Sequence, residues 1–534
     1  MKKRIFLDNA AGAFPKTPGL DQALAMALNM GTGNINRSTY TETEEAGLAV
    51  IETRELLCKL FNFQPATHVI FTSGVTASLN YIIKGFLKSG DRVLTSTFEH
   101  NAVMRPLVQM EKLGVKIDRV PAILKNGGAF VDTSSIESMI RPETRLAVFS
   151  HASNVTGFIQ PIEEIASILK KHNIPLVIDG AQTAGHIPVD LTQLKPAAFC
   201  FTGHKGLLGP QGTGGILFDK DFAKEVEPLI TGGTGSASDS EETPSFMPDK
   251  FEAGTQNIIG IAGLYHSLKW LDAFGIQNIH KREQKLLKLF LDGIKGLPIK
   301  IAGGESPENR VGIVSIDFSE FMDNAEAGAS LEEKYGILTR CGLHCSPSAH
   351  KSIGTFPQGT VRFSTGPFTI EEEIETAMRS RRVEGKHVIP VPSLEVQRNY
   401  PKIFYDKIRL FFKKKKTPFV GTEQSKLFEK SVVRPEFSKV GTVEISESAL
   451  TQMVFNCIEE YDKEVVIKKL NIKKEEGGYR LDLTVDIPFG TQLTGKINQL
   501  QKYIIEQIER YTGILIIQIN VIIGKIINRE DSNP

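Results

Sequence analysis

Phe201-Thr202-Gly203-His204-Lys205-Gly206-Leu207-Leu208-Gly209-Pro210 is the stretch on which the reading of this chain turns. It continues the apolar run Ala197-Ala198-Phe199-Cys200-Phe201 into a glycine-rich turn, the pattern of a buried strand entering a loop. A lysine at that junction stands where a strand-to-helix loop presents a reactive amine, which makes Lys205 a Schiff-base candidate. Lysines beside glycines are more often solvated loop residues, so the neighbouring segments must decide.

Working outward, short β-branched runs alternate with segments of helical period from about residue 45 to 220. Strands are predicted at 66–71, 92–95, 115–117, 146–149 and 175–178, and helices at 77–87, 101–113 and 162–172. This alternation predicts an α/β fold, a mainly parallel sheet with helices on both faces. Ligands of such sheets bind outside the carboxyl ends of the strands, and polar residues gather at those ends. Ser73-Gly74-Val75-Thr76 stands between a strand and a helix, where backbone N–H groups and the helix dipole hold a phosphate. His100, Asn154, Asp179 and Lys205 follow successive strands. Each alone reads as a turn residue or a helix cap. Together they supply what pyridoxal phosphate requires: an anion site, a flat group over the ring, a carboxylate for the ring nitrogen and an amine for the aldehyde. Thr202 and His204 add candidate phosphate donors, and Asp179 would keep the ring nitrogen protonated.

Length and charge restrict the alternatives. A chain of 534 residues exceeds what one core usually supports, so two or more domains are expected. With 63 basic and 62 acidic residues there is no global field for nucleic acid. The five cysteines, Cys58, Cys200, Cys341, Cys345 and Cys457, are odd in number and mostly far apart, which argues against a disulfide framework and for a reducing, cytoplasmic compartment. No secretory leader follows Met1-Lys2-Lys3-Arg4, and no apolar run reaches the length of a spanning helix.

A second concentration of chemistry is Arg340-Cys341-Gly342-Leu343-His344-Cys345-Ser346-Pro347. A glycine and a proline bracket Cys345 in a predicted loop, and His344 or Arg340 could favour its thiolate. A buried structural cysteine, or a metal site of Cys341, His344, Cys345 and His350, are the competing readings. The spacing matches no common zinc pattern, so a nucleophile is preferred and no metal is expected.

The ordered motifs Asp8-Asn9-Ala10-Ala11, Thr72-Ser73-Gly74-Val75-Thr76, Glu99-His100-Asn101, Ser153-Asn154-Val155-Thr156-Gly157, Asp179-Gly180-Ala181-Gln182, Thr202-Gly203-His204-Lys205 and Phe251-Glu252-Ala253-Gly254-Thr255 resemble the class V aminotransferases, and most closely the cysteine desulfurases, over about residues 4 to 380. The resemblance implies a fold-type I homodimer, with a seven-stranded-type sheet and a small α+β domain. It also implies a cofactor carried on Lys205, ring stacking by His100, and ring contacts from Asn154, Asp179 and Gln182. Thr255 would reach the phosphate of the neighbouring subunit's cofactor. Arg-x-Gly-x-His-Cys of those enzymes matches Arg340 to Cys345, which implies that Cys345 takes the sulfur of L-cysteine as a persulfide and leaves alanine. Arg362, in Gly359-Thr360-Val361-Arg362-Phe363-Ser364, matches the arginine that pairs with the substrate carboxylate, a task suited to a guanidinium fork. Two departures stand out. Gly74-Val75-Thr76-Ala77 replaces the usual Gly-Thr-Thr-Glu, so Val75 offers a phosphate only its backbone N–H. Asn34-Ile35-Asn36-Arg37 resembles an active-site segment with Arg37 near substrate, but Asn36 and Ser38 stand where a histidine and a glycine are usual.

Past residue 380 the texture changes. Prolines interrupt 390–401, and apolar residues at 403, 404, 408, 411 and 412 share a helical face beside Lys413-Lys414-Lys415-Lys416. Such a segment suits either a solvated linker or an anionic membrane surface or acidic partner. From about 437 a compact α+β module is predicted, with a helix at 447–460, strands at 465–472 and 479–487, a helix at 493–511 and a strand at 515–523. Gly441-Thr442-Val443-Glu444-Ile445-Ser446 and Tyr511-Thr512-Gly513 make it resemble the alkaline-shock protein family, which implies an interaction or localisation unit.

The expected division is therefore 1–383 for the enzyme-like domain (large part 20–260, small part from the N-terminal segment and 261–383), 384–436 for a linker, and 437–527 for the terminal module. The preferred reading is a pyridoxal-phosphate-dependent cysteine desulfurase serving a sulfur-acceptor protein. Alternatives are a selenocysteine lyase or another class V reaction (elimination, racemisation or transamination), and a non-enzymatic cofactor-binding scaffold localised by its C-terminal module.

Overall fold

Side chains alternate across a strand, and in the central strands both faces are apolar, so the sheet is covered on both sides. The computed structural model describes residues 4–29, 41–237, 239–379 and, with short interruptions, 451–527. Arg37, the basic segment near 403–416 and the Gly441 to Ser446 stretch lie outside the described residues. In chain order the strands of the first part are β1 (Ile5–Phe6), β2 (Val69–Thr72), β3 (Arg92–Ser96), β4 (Lys116–Val120), β5 (Ala122–Lys125), β6 (Gly128–Val131), β7 (Thr144–Ser150), β8 (Leu176–Asp179), β9 (Ala198–Thr202) and β10 (Gly214–Phe218). After two long helices come β11 (Lys300–Ile301), β12 (Ile313–Asp317), β13 (Ile337–Leu338), β14 (Arg340–Gly342) and β15 (Thr360–Ser364).

The central sheet has seven strands in the order β2-β10-β9-β8-β7-β3-β4. All neighbours from β9 to β4 run parallel, and β10 alone is antiparallel to its neighbours β2 and β9. Val93, Val148 and Val177 pack with Leu79 and Ile82 of the helix Val75–Phe86 and Val103 and Leu107 of the helix Asn101–Glu111. Their neighbours Leu94, Phe149 and Ile178 face the other way, onto Ile165 and Leu169 of the helix Ile162–Lys171 and Leu264 and Leu268 of the helix Ile258–Phe274. Each such fully buried side chain contributes roughly 1.5–3 kcal/mol, and together they fix where the strand ends lie. The fold is thus the fold-type I architecture expected from the sequence.

Local boundaries shift by a few residues in several elements, most informatively around the first strand and helix of the sheet. Ala66–His68 is a 3-10 turn, and the strand begins only at Val69. The following helix starts at Val75 rather than 77, because Gly74, at φ +145°, turns the chain directly into it.

The small part is a four-stranded sheet, β11-β12-β15-β14, with antiparallel neighbours. Its Val314, Ile316, Val361 and Phe363 share a core with Leu286, Leu287 and Phe290 of the helix Ile276–Ile294 and with Leu331 of the helix Asn324–Tyr335. The N-terminal segment joins this part through β1, which pairs parallel with β13.

Chain contacts divide the protein into Met1–Val396 and Gln397–Pro534. In the second unit β16 (Val466–Glu475), β17 (Gly478–Pro488) and β18 (Ile516–Ile527) form one sheet, antiparallel between β16 and β17 and parallel between β17 and β18. Leu481, Leu483 and Val485 pack with Leu500, Ile504 and Ile508 of the helix Leu493–Thr512. Cys457 is buried in that core. Among the described residues no helix is long and apolar enough to cross a membrane.

Candidate active site

The ends of β2, β3, β7, β8 and β9 open on a cavity of about 280 Å³ that carries both polar and apolar walls. Of the sequence-predicted residues, Gly74, Val75, Thr76, His100, Asn154, Asp179, Gln182, Thr202, His204, Lys205 and Arg362 all line it. Gly74 to Lys205 converge because the parallel strands point their carboxyl ends the same way, and Arg362 is brought to the cavity by the small part.

One wall could hold an anion. The helix Val75–Phe86 has no side-chain cap, so the N–H groups of its first turn are free of intrahelical partners and face the cavity. Val75 turns its side chain into the core beneath and leaves only its backbone N–H for a ligand. Across from it, Thr202 Oγ1 and His204 Nδ1 are 3.0 Å apart. Burial, reinforced by Lys205 and Lys16, lowers the His204 pKa to about 4, so its ring is neutral near pH 7.

Lys205 and Asp179 form the centre. Burial lowers the Lys205 amine to about 8, against the opposing pull of Asp179, and Arg362 and Arg340 lower it further. A fraction of the amine is therefore free base at neutral pH, as a nucleophile must be. Asp179 is buried and accepts from Ala181 N–H at 2.9 Å. Its burial raises its own pKa, offset by that hydrogen bond and by Lys205, so a cationic ligand group beside it would stabilise the carboxylate.

His100 serves two purposes. Its Nδ1 accepts from Ala102 N–H at 3.0 Å and caps the helix Asn101–Glu111, which fixes the ring plane at the cavity wall and leaves the proton on Nε2. Burial, then Lys205, lowers its pKa to about 4. Gln182 donates to the Ala10 carbonyl at 3.2 Å, tying the wall to the N-terminal segment.

The small part completes the mouth. Arg362, on β15, is 1 % exposed; its Nη2 pairs with Asp8 at 2.9 Å and its Nη1 donates to the Asn154 carbonyl at 3.1 Å. Its Nε has no partner, so the fork keeps a donor for a carboxylate. Cys345 is exposed and stands beside cavity-lining Arg340 and His344, with Arg340 Nη2 3.9 Å from its sulfur.

One expectation is corrected here, and one question left open by the sequence is narrowed. His344 does not support the thiolate: its ring is buried with Nε2 2.9 Å from Thr360 Oγ1, and burial drives its pKa down to about 2, so it carries no charge. Cys341, the extra thiol, points toward Gly328 of the helix Asn324–Tyr335, and burial raises its pKa to about 11, which makes it a poor relay. Thr255 is exposed and does not line this cavity.

Several contributors were not assigned from sequence. Asp8 orients Arg362. Lys16 donates to the carbonyls of His204 at 3.1 Å and Gly209 at 2.9 Å, holding both ends of the Lys205 turn. Glu99, beneath His100, is buried and accepts from Ser96 Oγ at 2.6 Å and from Ser150 N–H and Oγ at 2.9 and 2.7 Å. Asp8 and Glu99 stand inside quoted motifs; Lys16 has no local signal.

Comparison with known proteins identifies the family. The class-V aminotransferase family matches residues 5–376. A probable cysteine desulfurase of Pyrococcus abyssi is 30% identical over 379 residues, covering 70% of this chain and 92% of that protein. One from Methanothermobacter thermautotrophicus is 31% identical over 383 residues, covering 70% and 93%. Among solved structures, the apo cysteine desulfurase of Thermococcus onnurineus superposes with a TM-score of 0.65 at 28% identity, covering 70% of this chain and 93% of that one. A cysteine desulfurase of Escherichia coli in an S-sulfonic acid form gives 0.63 at 26%, covering 71% and 93%. The chain belongs, through its first 376 or so residues, to the cysteine desulfurase branch of the class-V aminotransferase family.

Proposed function

We propose that this protein is a pyridoxal-phosphate-dependent cysteine desulfurase that converts L-cysteine to L-alanine and receives the sulfur on Cys345. The observation that carries the reading is one cavity shared by Lys205, Asp179, His100, an uncapped helix N-terminus and Arg362, with Cys345 at its rim.

The residues fit the cofactor. The first turn of the helix Val75–Phe86, with Thr202 and His204, would hold its phosphate; Asp179 would face the ring nitrogen; His100 would lie on the ring; Asn154 and Gln182 would contact its edge. Pyridoxal phosphate, when bound, supplies an electron sink for bond breaking at the substrate's Cα and Cβ. Lys205 Nζ would hold the cofactor and, as a free amine, would take the proton from substrate Cα. Arg362, held from behind by Asp8, receives the carboxylate. Cys345 Sγ, beside the Arg340 guanidinium, attacks the substrate sulfur: the Sγ–S bond forms, the Cβ–S bond breaks, and the electron pair left on Cβ takes a proton to give alanine.

Cys345→Ser tests this. Alanine and persulfide production from cysteine should fall at least a hundredfold (about 10²) while the cofactor's visible absorbance is unchanged. Undiminished alanine release would sink the assignment, and running selenocysteine beside cysteine separates a selenocysteine lyase.

The remaining assignments belong to the same reading. Two copies would pair, with Thr255 reaching the other copy's phosphate; Leu48 and Ile51, 58% and 52% exposed on the helix Thr41–Phe61, support a covered face there. Arg37 would contact substrate. Residues 384–436 would link the enzyme to an alkaline-shock-like unit at 437–527, supported by one sheet on one helix, which would set where this cytoplasmic enzyme meets its sulfur acceptor or a membrane surface.

A further inference from the structure

The backbone around Cys345 holds a conformation that side chains other than glycine's rarely adopt, with φ +48° at His344 and +58° at Cys345. Two successive residues of this kind persist only where their surroundings hold them. Here the grips are specific. Asn101 N–H donates to the Cys345 carbonyl at 2.7 Å, and His344 Nε2 meets Thr360 Oγ1. Asn154 grips both flanks: its Nδ2 donates to the His344 carbonyl at 2.6 Å, and its Oδ1 accepts from Ser346 Oγ at 2.7 Å.

Ser346 is fully buried and Asn154 is 6 % exposed, so neither hydroxyl nor amide is in ready exchange with water. The Ser346 backbone is committed elsewhere, its N–H to the Leu343 carbonyl and its carbonyl to His350 N–H. Its hydroxyl is therefore free to serve Asn154. The same Asn154 lines the cavity and gives its own carbonyl to Arg362. One residue thus joins the cavity wall, the carboxylate-binding arginine and both sides of Cys345.

We propose that the Asn154–Ser346 hydrogen bond is a latch that fixes the Cys345 loop at the cavity rim, which makes Asn154 and Ser346 positioning residues for the nucleophile. The inference rests on the desulfurase reading of Cys345 for its functional meaning. A latch of this kind acts on the loop alone: losing it leaves the Lys205 pocket built and the thiol chemically intact, but spreads the sulfur over positions that do not meet the substrate.

Ser346→Ala in the full-length, cofactor-loaded protein tests it by hydrogen exchange and kinetics. Amides in 342–346 and at Asn101 should exchange about tenfold faster, with the rest of the first unit unchanged, since a lost buried hydrogen bond is of that order. The kcat for alanine should fall about tenfold with KM within about twofold, and the visible absorbance should stay. Ser346→Thr, which keeps the hydroxyl, should restore both. Unchanged exchange at 342–346 in Ser346→Ala overturns the latch, and so does faster exchange spread over the whole first unit. Should the alanine variant not accumulate, Asn154→Ala removes the acceptor for Ser346 Oγ together with the donor to the His344 carbonyl, and must loosen the same amides or the latch is refuted. Exchange is read without turnover, so failure of the latch is distinct from failure of the desulfurase reading, which Cys345→Ser decides.

Discussion

The floor of the site and the loop at its rim are built by opposite means. The floor stands on β7, β8 and β9, whose buried side chains belong to two cores pressed on the sheet from both faces. The Cys345 loop stands on a few hydrogen bonds from Asn101, Asn154, Ser346 and Thr360. On the proposed function the difference divides the chemistry: the floor would need fixed electrostatics around Lys205 and Asp179, whereas the rim would have to present a sulfur and later pass it on. Rigidity is bought once, by the sheet, and the loop borrows it through Asn154.

The largest effect that would sharpen this contrast is Lys205→Ala. Turnover should fall by at least about 10³-fold, and the lysine-bound visible band should vanish. The Cys345 loop should keep its exchange protection, because no described contact of the loop runs through the lysine amine. Loosening of 342–346 in this variant would show that floor and rim are not separable.

Arg362→Lys comes next and probes the seam. Lysine keeps a charge for Asp8 but cannot both pair with it and offer a planar fork. The expected outcome is a KM for cysteine raised about ten- to a hundredfold with a smaller loss in kcat, measured by alanine release. An unchanged KM would place the carboxylate elsewhere.

The floor was largely legible in the sequence because its parts are local. Gly74-Val75-Thr76, Asp179 and Lys205 each sit where a strand stops, and periodicity finds strand ends. Even the exceptions have local causes, such as the turn at Gly74 that starts its helix early. The antiparallel strand Gly214–Phe218 and the hairpin of β5 and β6 were not anticipated, because runs of four or five residues carry little period. The seam and the rim were legible only as motifs. That Arg362 is oriented by Asp8, 354 positions away, or that Ser346 closes on Asn154, 192 positions away, depends on tertiary contacts that no spacing encodes. His344 shows the converse, since a histidine next to a cysteine reads as its partner and the structure turns it into the core.

The smallest effect concerns Glu99, and it shows what the floor can bear. Burial raises its pKa from 4.5 to about 7, despite hydrogen bonds from Ser96 and Ser150 that favour the charged form, and Asp179 adds to the rise. Between those two pH values the folded protein holds a proton that the unfolded chain has released. Stability therefore falls as pH rises from 4.5 toward 7 and the full cost is present above 7, on the order of 1–3 kcal/mol. A rim held by a few hydrogen bonds could not carry such a charge, whereas a sheet packed on both faces can. Glu99→Gln removes the titration while keeping an acceptor for Ser150. Urea unfolding of the cofactor-free protein should give curves that lie together near pH 5 and separate by pH 8, with the variant the more stable. Parallel curves across that range would mean that Glu99 is charged throughout, and that Ser96 and Ser150 alone solvate it.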